Sequence, residues 1–198
     1  MVQSQLPKKK ILILSANPEG TDRLRLDREE REIRESLQMG TNRDNFNIVS
    51  QPAVRTKDIQ RIMLTEKPQI VHFSGHGAAK DGLVFEDING RAKQVPTKAL
   101  AQLFGLCANH VECVVLNACY SVIQARCISK YIGYVVGMRQ EVGDTAAIEY
   151  SRGFYLAIAS GEPYDIAHDY GRNAIQIEDL GEDMTPIIKK KIWINFSD

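Results

Sequence analysis

Two short stretches hold the residue types that covalent catalysis needs: Ser74-Gly75-His76-Gly77 and Asn117-Ala118-Cys119-Tyr120-Ser121. The attacking form of cysteine is the thiolate, and a free thiol with a pKa of about 8.5 is only a few per cent ionised at neutral pH. An imidazole beside it favours the ion and can then pass a proton to a leaving amine. His76 and Cys119 are therefore candidate partners in a dyad. The glycines flanking His76 leave room for an extended peptide and for a backbone N–H aimed at a developing oxyanion. A helix expected to start near Tyr120 adds its positive end at Cys119 and acts in the same direction. Either half alone is weak, because a lone buried cysteine is commonly inert. The conjunction carries the reading.

The elements that must bring the two stretches together are legible as an alternation. Ile11–Ser15, Phe46–Ser50, Gln69–Ser74, Val111–Asn117 and Tyr134–Met138 read as strands, with helical patterns between most of them. That rhythm predicts an α/β fold with a mostly parallel central sheet and helices on both faces. Near-continuous apolar content in residues 70–73 and 113–116 marks two central strands. Both candidate stretches then fall at carboxyl ends of neighbouring strands about 4.8 Å apart, where open α/β sheets place their ligands. The runs 83–85 and 92–95 around Asn89-Gly90 predict an inserted β-hairpin. Helices are expected over residues 24–38, 144–159 and 162–177, with Pro163 in the first turn of the last, and residues 187–196 read as a final edge strand.

The 198 residues, 43% of them hydrophobic, predict one domain over residues 10–198 behind a loose tail, residues 1–9. Twenty-five basic against twenty-five acidic residues leave a net charge of zero, which gives no electrostatic case for a nucleic-acid or membrane-surface partner. No apolar run approaches the ~20 residues of a membrane span, and Lys8-Lys9-Lys10 follows no cleavable segment, so the expected home is the cytosol. Cys107, Cys113, Cys119 and Cys127 crowd together without a CxxC pair and read as free thiols. Cys107-x-x-His110-x-x-Cys113 has only three ligands, so no metal is expected. No phosphate-binding glycine loop appears, so no nucleotide cofactor is expected either. A phosphatase loop is excluded because the position six after Cys119 is Ala125 and not Arg. The first helix has charges at eleven of positions 22–35, with Asp27→Arg31 and Glu30→Arg34 pairs, and reads as a solvated outer face. His72, four positions before His76 on the same strand face, reads as a core histidine, with bracing of the site as the competing role.

The stretches 70–77 and 113–121, together with Ile13-Leu14-Ser15-Ala16-Asn17-Pro18, Arg25-Leu26-Asp27 and Gly153-Phe154-Tyr155, resemble the CHAT domain, a caspase-like cysteine peptidase module related to separase. The similarity covers roughly residues 10–190. It implies a caspase-like three-layer sandwich, His76 and Cys119 as the dyad, an oxyanion hole from the backbone N–H groups of Gly77 and Cys119, and no cofactor. The separation of 43 positions from His76 to Cys119 is close to the distance of about 50 in caspases. Asn-Ala-Cys-Tyr-Ser here departs from the Gln-Ala-Cys-x-Gly of caspases, so their aspartate specificity does not carry over.

In related peptidases the region matching residues 137–144 lines the pocket for the residue before the cut. Asp144, Glu141 and Ser74 are the candidate pocket residues, and an acidic pocket favours a basic side chain. Asp144 also reads as the N-cap of the following helix. The resemblance implies a protein or peptide substrate and a bacterial defence or signalling role. Because 198 residues leave no room for a sensor, activation is expected from a regulatory partner in trans, or from rearrangement after Val136 or at Asn89-Gly90. The competing reading is a catalytically silent protein-interaction module on the same fold.

Overall fold

The computed structural model describes residues 8–78 and 82–192. Six strands form one sheet in the order β2-β1-β3-β6-β7-β8: β1 (Lys9–Ser15), β2 (Phe46–Gln51), β3 (Ile70–Ser74), β6 (Cys113–Asn117), β7 (Tyr134–Met138) and β8 (Pro186–Lys190). The first five are parallel and β8 runs antiparallel to β7. Between β3 and β6 stands the expected hairpin, β4 (Leu83–Glu86) with β5 (Ala92–Val95), closed by a turn in which Asp87 accepts hydrogen bonds from the Asn89 and Arg91 amides.

Side-chain alternation along the strands builds two apolar layers. Leu12, Leu14, Val71, Phe73, Val114 and Leu116 face α2 (Ile59–Glu66), α3 (Thr97–Leu106) and α4 (Val122–Ile128). Ile11, Ile13, Ile70, Cys113 and Val115 face α1 (Leu26–Met39), α5 (Asp144–Ala159) and α6 (Tyr164–Ile177). The result is the three-layer α/β sandwich read from the sequence.

Several boundaries shift for local reasons. Arg25 takes a non-helical ψ of 56°, so α1 begins at Leu26, two residues later than expected. Pro163 is the N-cap of α6 and does not lie within its first turn. Gly143 caps α5, which makes Asp144 its first residue and not its cap. The last strand ends at Lys190, and residues 193–196 of the expected strand lie outside the described residues, as do residues 1–7 of the expected tail. Lys9 already belongs to β1. On α1 the exposed pairs are Glu30–Arg34 and Arg31–Glu35.

Candidate active site

Strands β3 and β6 run in register with Ser74 opposite Asn117, so the loops that leave them start level with one another. His76 and Cys119 each lie two residues beyond those strand ends. The hairpin braces the histidine loop: the Val84 amide donates to the His76 carbonyl at 3.0 Å and the Ala78 amide to the Gly82 carbonyl at 2.9 Å. The inserted hairpin therefore extends its pairing up to the residue of interest, which a strand reading of 83–85 alone did not show.

The two loops touch at their backbones. A Cβ placed on Gly77 would lie 2.0 Å from the Cys119 carbonyl oxygen and 3.3 Å from its nitrogen, so only glycine allows this approach. Both His76 and Cys119 are partly exposed. The Cys119 thiol faces the Val142 carbonyl oxygen at 3.9 Å. Among the described residues, neither the Gly77 nor the Cys119 amide donates to another group of the chain. The Nε2 of His76 is shielded from solvent and has no hydrogen-bond partner there. A shielded polar atom without a partner is costly, so it is a group with bonding capacity in reserve.

Beyond Cys119 the chain turns sharply. Tyr120 has a φ of 56°, in the left-handed region that a bulky residue seldom enters, and its amide is held by the Gln140 carbonyl at 3.1 Å. The helix that follows has seven residues and starts at Val122. The helix expected to start near Tyr120 thus begins two residues later, and Cys119 lies outside its first turn.

The candidate pocket residues have different surroundings. Glu141 is exposed. Asp144 is paired with Arg25 from the start of α1, and the same guanidinium donates to the Thr145 hydroxyl at 2.8 Å. The side chain of Ser74 is buried beneath the loops and donates to Glu29.

Glu29 is the residue the sequence reading missed. It lies on α1 and is only 4% exposed. Its carboxylate receives hydrogen bonds from His72 Nε2 at 2.9 Å, the Ser151 hydroxyl at 2.7 Å, the Asn117 amide and the Ser74 hydroxyl. His72 is fully buried as expected, and its Nδ1 lies 3.1 Å from the Tyr155 hydroxyl. Burial alone pushes the Glu29 carboxyl up, but the adjacent His72 and the hydrogen bonds from His72, Ser74 and Ser151 outweigh it and hold the group below the ordinary carboxylate range. A signal was present in the sequence: Leu26, Glu29, Ile33 and Leu37 share one stripe at helical spacing, so Glu29 interrupts an apolar face. On the strands, His72, Ser74 and Asn117 share the parity of the residues facing α1 and α5.

The remaining cysteines do not converge on a centre. Cys107 and Cys113 belong to apolar layers on opposite faces of the sheet, and burial pushes the Cys113 thiol up. Among the described residues no group of three or more His, Cys, Asp or Glu is arranged to hold a metal ion, and no helix is long and apolar enough to cross a membrane.

Comparison with known proteins adds a family and a fold. A model of the CHAT domain matches residues 2–175. The chain is 28% identical over 191 residues to a probable protease of Gillisia limnaea, covering 94% of this chain and 34% of that protein. It is 26% identical over 178 residues to a Roc-COR-CHAT protease of an unknown prokaryotic organism, covering 85% of this chain and 16% of that one. It thus spans well under half the length of either relative. Among solved structures, a secreted C11 cysteine protease from Bacteroides thetaiotaomicron bound to an irreversible peptide inhibitor matches with a TM-score of 0.59 at 14% identity, covering 79% of this chain and 57% of that one. The Drosophila initiator caspase Dronc matches at 0.57 and 10% identity, covering 92% and 79%. The shared feature is the caspase-like fold.

Proposed function

The chain belongs to the CHAT domain family, and from that membership we propose that it is a cysteine endopeptidase working through His76 and Cys119. The observation that carries this reading is the backbone contact of Gly77 with Cys119, which sets the histidine loop against the cysteine loop. The Cys119 thiolate attacks the carbonyl carbon of the scissile peptide bond. The oxyanion of the tetrahedral intermediate accepts the N–H groups of Gly77 and Cys119, which the chain leaves uncommitted among the described residues. His76 passes its proton to the leaving amine, the C–N bond breaks, and a thioester remains on Cys119. Water then attacks the thioester, returns a proton to the imidazole and releases the acid.

The substrate is a protein or peptide, and Asp144 and Glu141 border its pocket on the α5 side. Activation by a partner in trans fits a thiol that here is engaged with the Val142 carbonyl oxygen at 3.9 Å and must leave it to attack a substrate. A bacterial defence or signalling pathway in the cytosol is the setting that the family resemblance favours.

The test is cleavage of a mixed peptide library by the purified chain beside Cys119→Ala and His76→Ala, with products read by mass spectrometry. Cleavage lost in both variants supports the dyad and reports the residue before the cut. Cleavage that survives Cys119→Ala overturns it. If all three are silent, an electrophilic peptide that alkylates Cys119 selectively points to a latent peptidase, and failure to do so points to a binding module.

A further inference from the structure

Glu29 is an ionised side chain buried between α1, the sheet and α5, and the proposed reaction does not use it. Its four partners come from three elements: His72 and Ser74 from β3, Asn117 from β6 and Ser151 from α5. Every one of them donates, so the site suits a group that only accepts, and an ionised carboxylate is that group. Two of the partners occupy special places. Ser74 and Asn117 are the register-paired last residues of β3 and β6, and His76 and Cys119 each follow two residues later. The Asn117 amide also donates to the Ala147 carbonyl of α5 at 3.0 Å, and the stretch leading into α5 carries Val142, which faces the Cys119 thiol. One carboxylate thus ties together the roots of all three segments around the thiol.

We propose that Glu29 is the positioning residue of the dyad, clamping the ends of β3 and β6 level so that the His76 imidazole meets the Cys119 thiol. The inference rests on the dyad reading and adds the residue that holds it. Glu29 touches neither substrate nor thiol and acts through Ser74 and Asn117. With each dyad residue only two positions past its strand end, there is little chain to absorb a shift there. A Gln at this position keeps the shape but turns an amide N–H₂ toward neighbours that already donate, so the clamp loosens.

The experiment is the alkylation rate of Cys119 by iodoacetamide, followed at the Cys119 peptide by mass spectrometry at pH 6 and pH 9, because their ratio reports the thiolate fraction independently of access. It needs neither a known substrate nor an active chain. The wild type is compared with His76→Ala, Glu29→Gln, Ser74→Ala and Ile175→Ala; the last opens a cavity beneath α6, away from the site, as a control for lost stability. We expect His76→Ala and Glu29→Gln to lower the ratio by about tenfold, the equivalent of one unit in the thiol pKa, with Ser74→Ala in the same direction and Ile175→Ala unchanged. If Glu29→Gln does not fold, Ser74→Ala alone decides. A wild-type ratio in Glu29→Gln, or in Ser74→Ala should that variant stand alone, overturns the positioning role, as does an equal fall in Ile175→Ala. If His76→Ala itself leaves the ratio unchanged, the imidazole does not meet the thiol in the resting chain and the positioning role falls, while the dyad reading is decided separately by peptide cleavage.

Discussion

Gly77 and Cys119 lie in backbone contact, so close that a Cβ on the first would stand 2.0 Å from the carbonyl oxygen of the second. The contact partner is main chain, which cannot rotate away. Gly77→Ala must therefore separate the two loops. We expect activity to fall on the order of 10²-fold, the cost of a displacement near 1 Å. Stability should fall by about 1–3 kcal/mol from overpacking. Steady-state kinetics and a urea melt check both; an alanine variant with wild-type kcat rules out close loop contact as a requirement.

The Arg25–Asp144 pair joins the starts of α1 and α5 with side chains 45% and 30% exposed. Solvent screens such a pair, so Arg25→Ala should cost no more than about 1 kcal/mol of stability. If Asp144 also receives the substrate, Asp144→Ala lowers cleavage after Arg while a peptide with a hydrophobic residue at that position is cut as before, and Arg25→Ala raises cleavage after Arg by freeing the carboxylate. Equal rates on both peptides in Asp144→Ala would leave Asp144 with a structural role alone.

His168, on α6, sits 2.8 Å from the Tyr150 hydroxyl, with Asp169 and Arg172 acting on it by charge. Burial holds its imidazole down to about 4, against an ordinary 6.5. Between those values the unfolded chain binds a proton that the folded chain refuses. The stabilising contribution is complete above pH 6.5 and is lost as pH falls toward 4, by about 3 kcal/mol at most. His168→Gln should flatten this window. The difference between wild type and variant in denaturation midpoints at pH 7 and pH 4.5 isolates it from Glu29, Asp58, Asp87 and Asp165, whose carboxyls are held low.

Asn117→Asp is nearly isosteric but places a second acid against the buried Glu29 carboxylate. One of the two must then take a proton that the unfolded chain lacks at neutral pH. We expect a loss of about 3 kcal/mol or more at pH 7, because the folded chain must bind a proton that solution at that pH does not favour. The sign of the pH dependence is opposite to that of a salt-bridged acid: the deficit against wild type grows as pH rises from about 4 to 7. Urea midpoints at pH 5 and pH 7 read it, and a deficit independent of pH contradicts the shared-proton account.

The succession of strands along the chain, the two-sided sheet and the hairpin were readable from the chain because they rest on local periodicity. Residues 70–73 and 113–116 are apolar on both faces, and Asn89-Gly90 sits in the turn with Gly90 at a φ of 79°. The positions of His76 and Cys119 past strand ends followed from the same pattern. The α4 start did not, because the left-handed turn at Tyr120 depends on Gln140, twenty residues away.

What the sequence by itself determined is the set of chemical groups and the end of the sheet at which they stand, since side-chain parity and strand direction are properties of neighbouring residues. What only the tertiary structure decided is which charges are buried and paired. Glu29 is one of eleven charges in fourteen residues and looks like surface until Ser74, Asn117 and Ser151 arrive from 45, 88 and 122 positions away. Arg25 meets Asp144 across 119 positions. A buried carboxylate is tolerated only when enough donors converge on it, and that convergence exists only once the sheet and α5 have closed over α1.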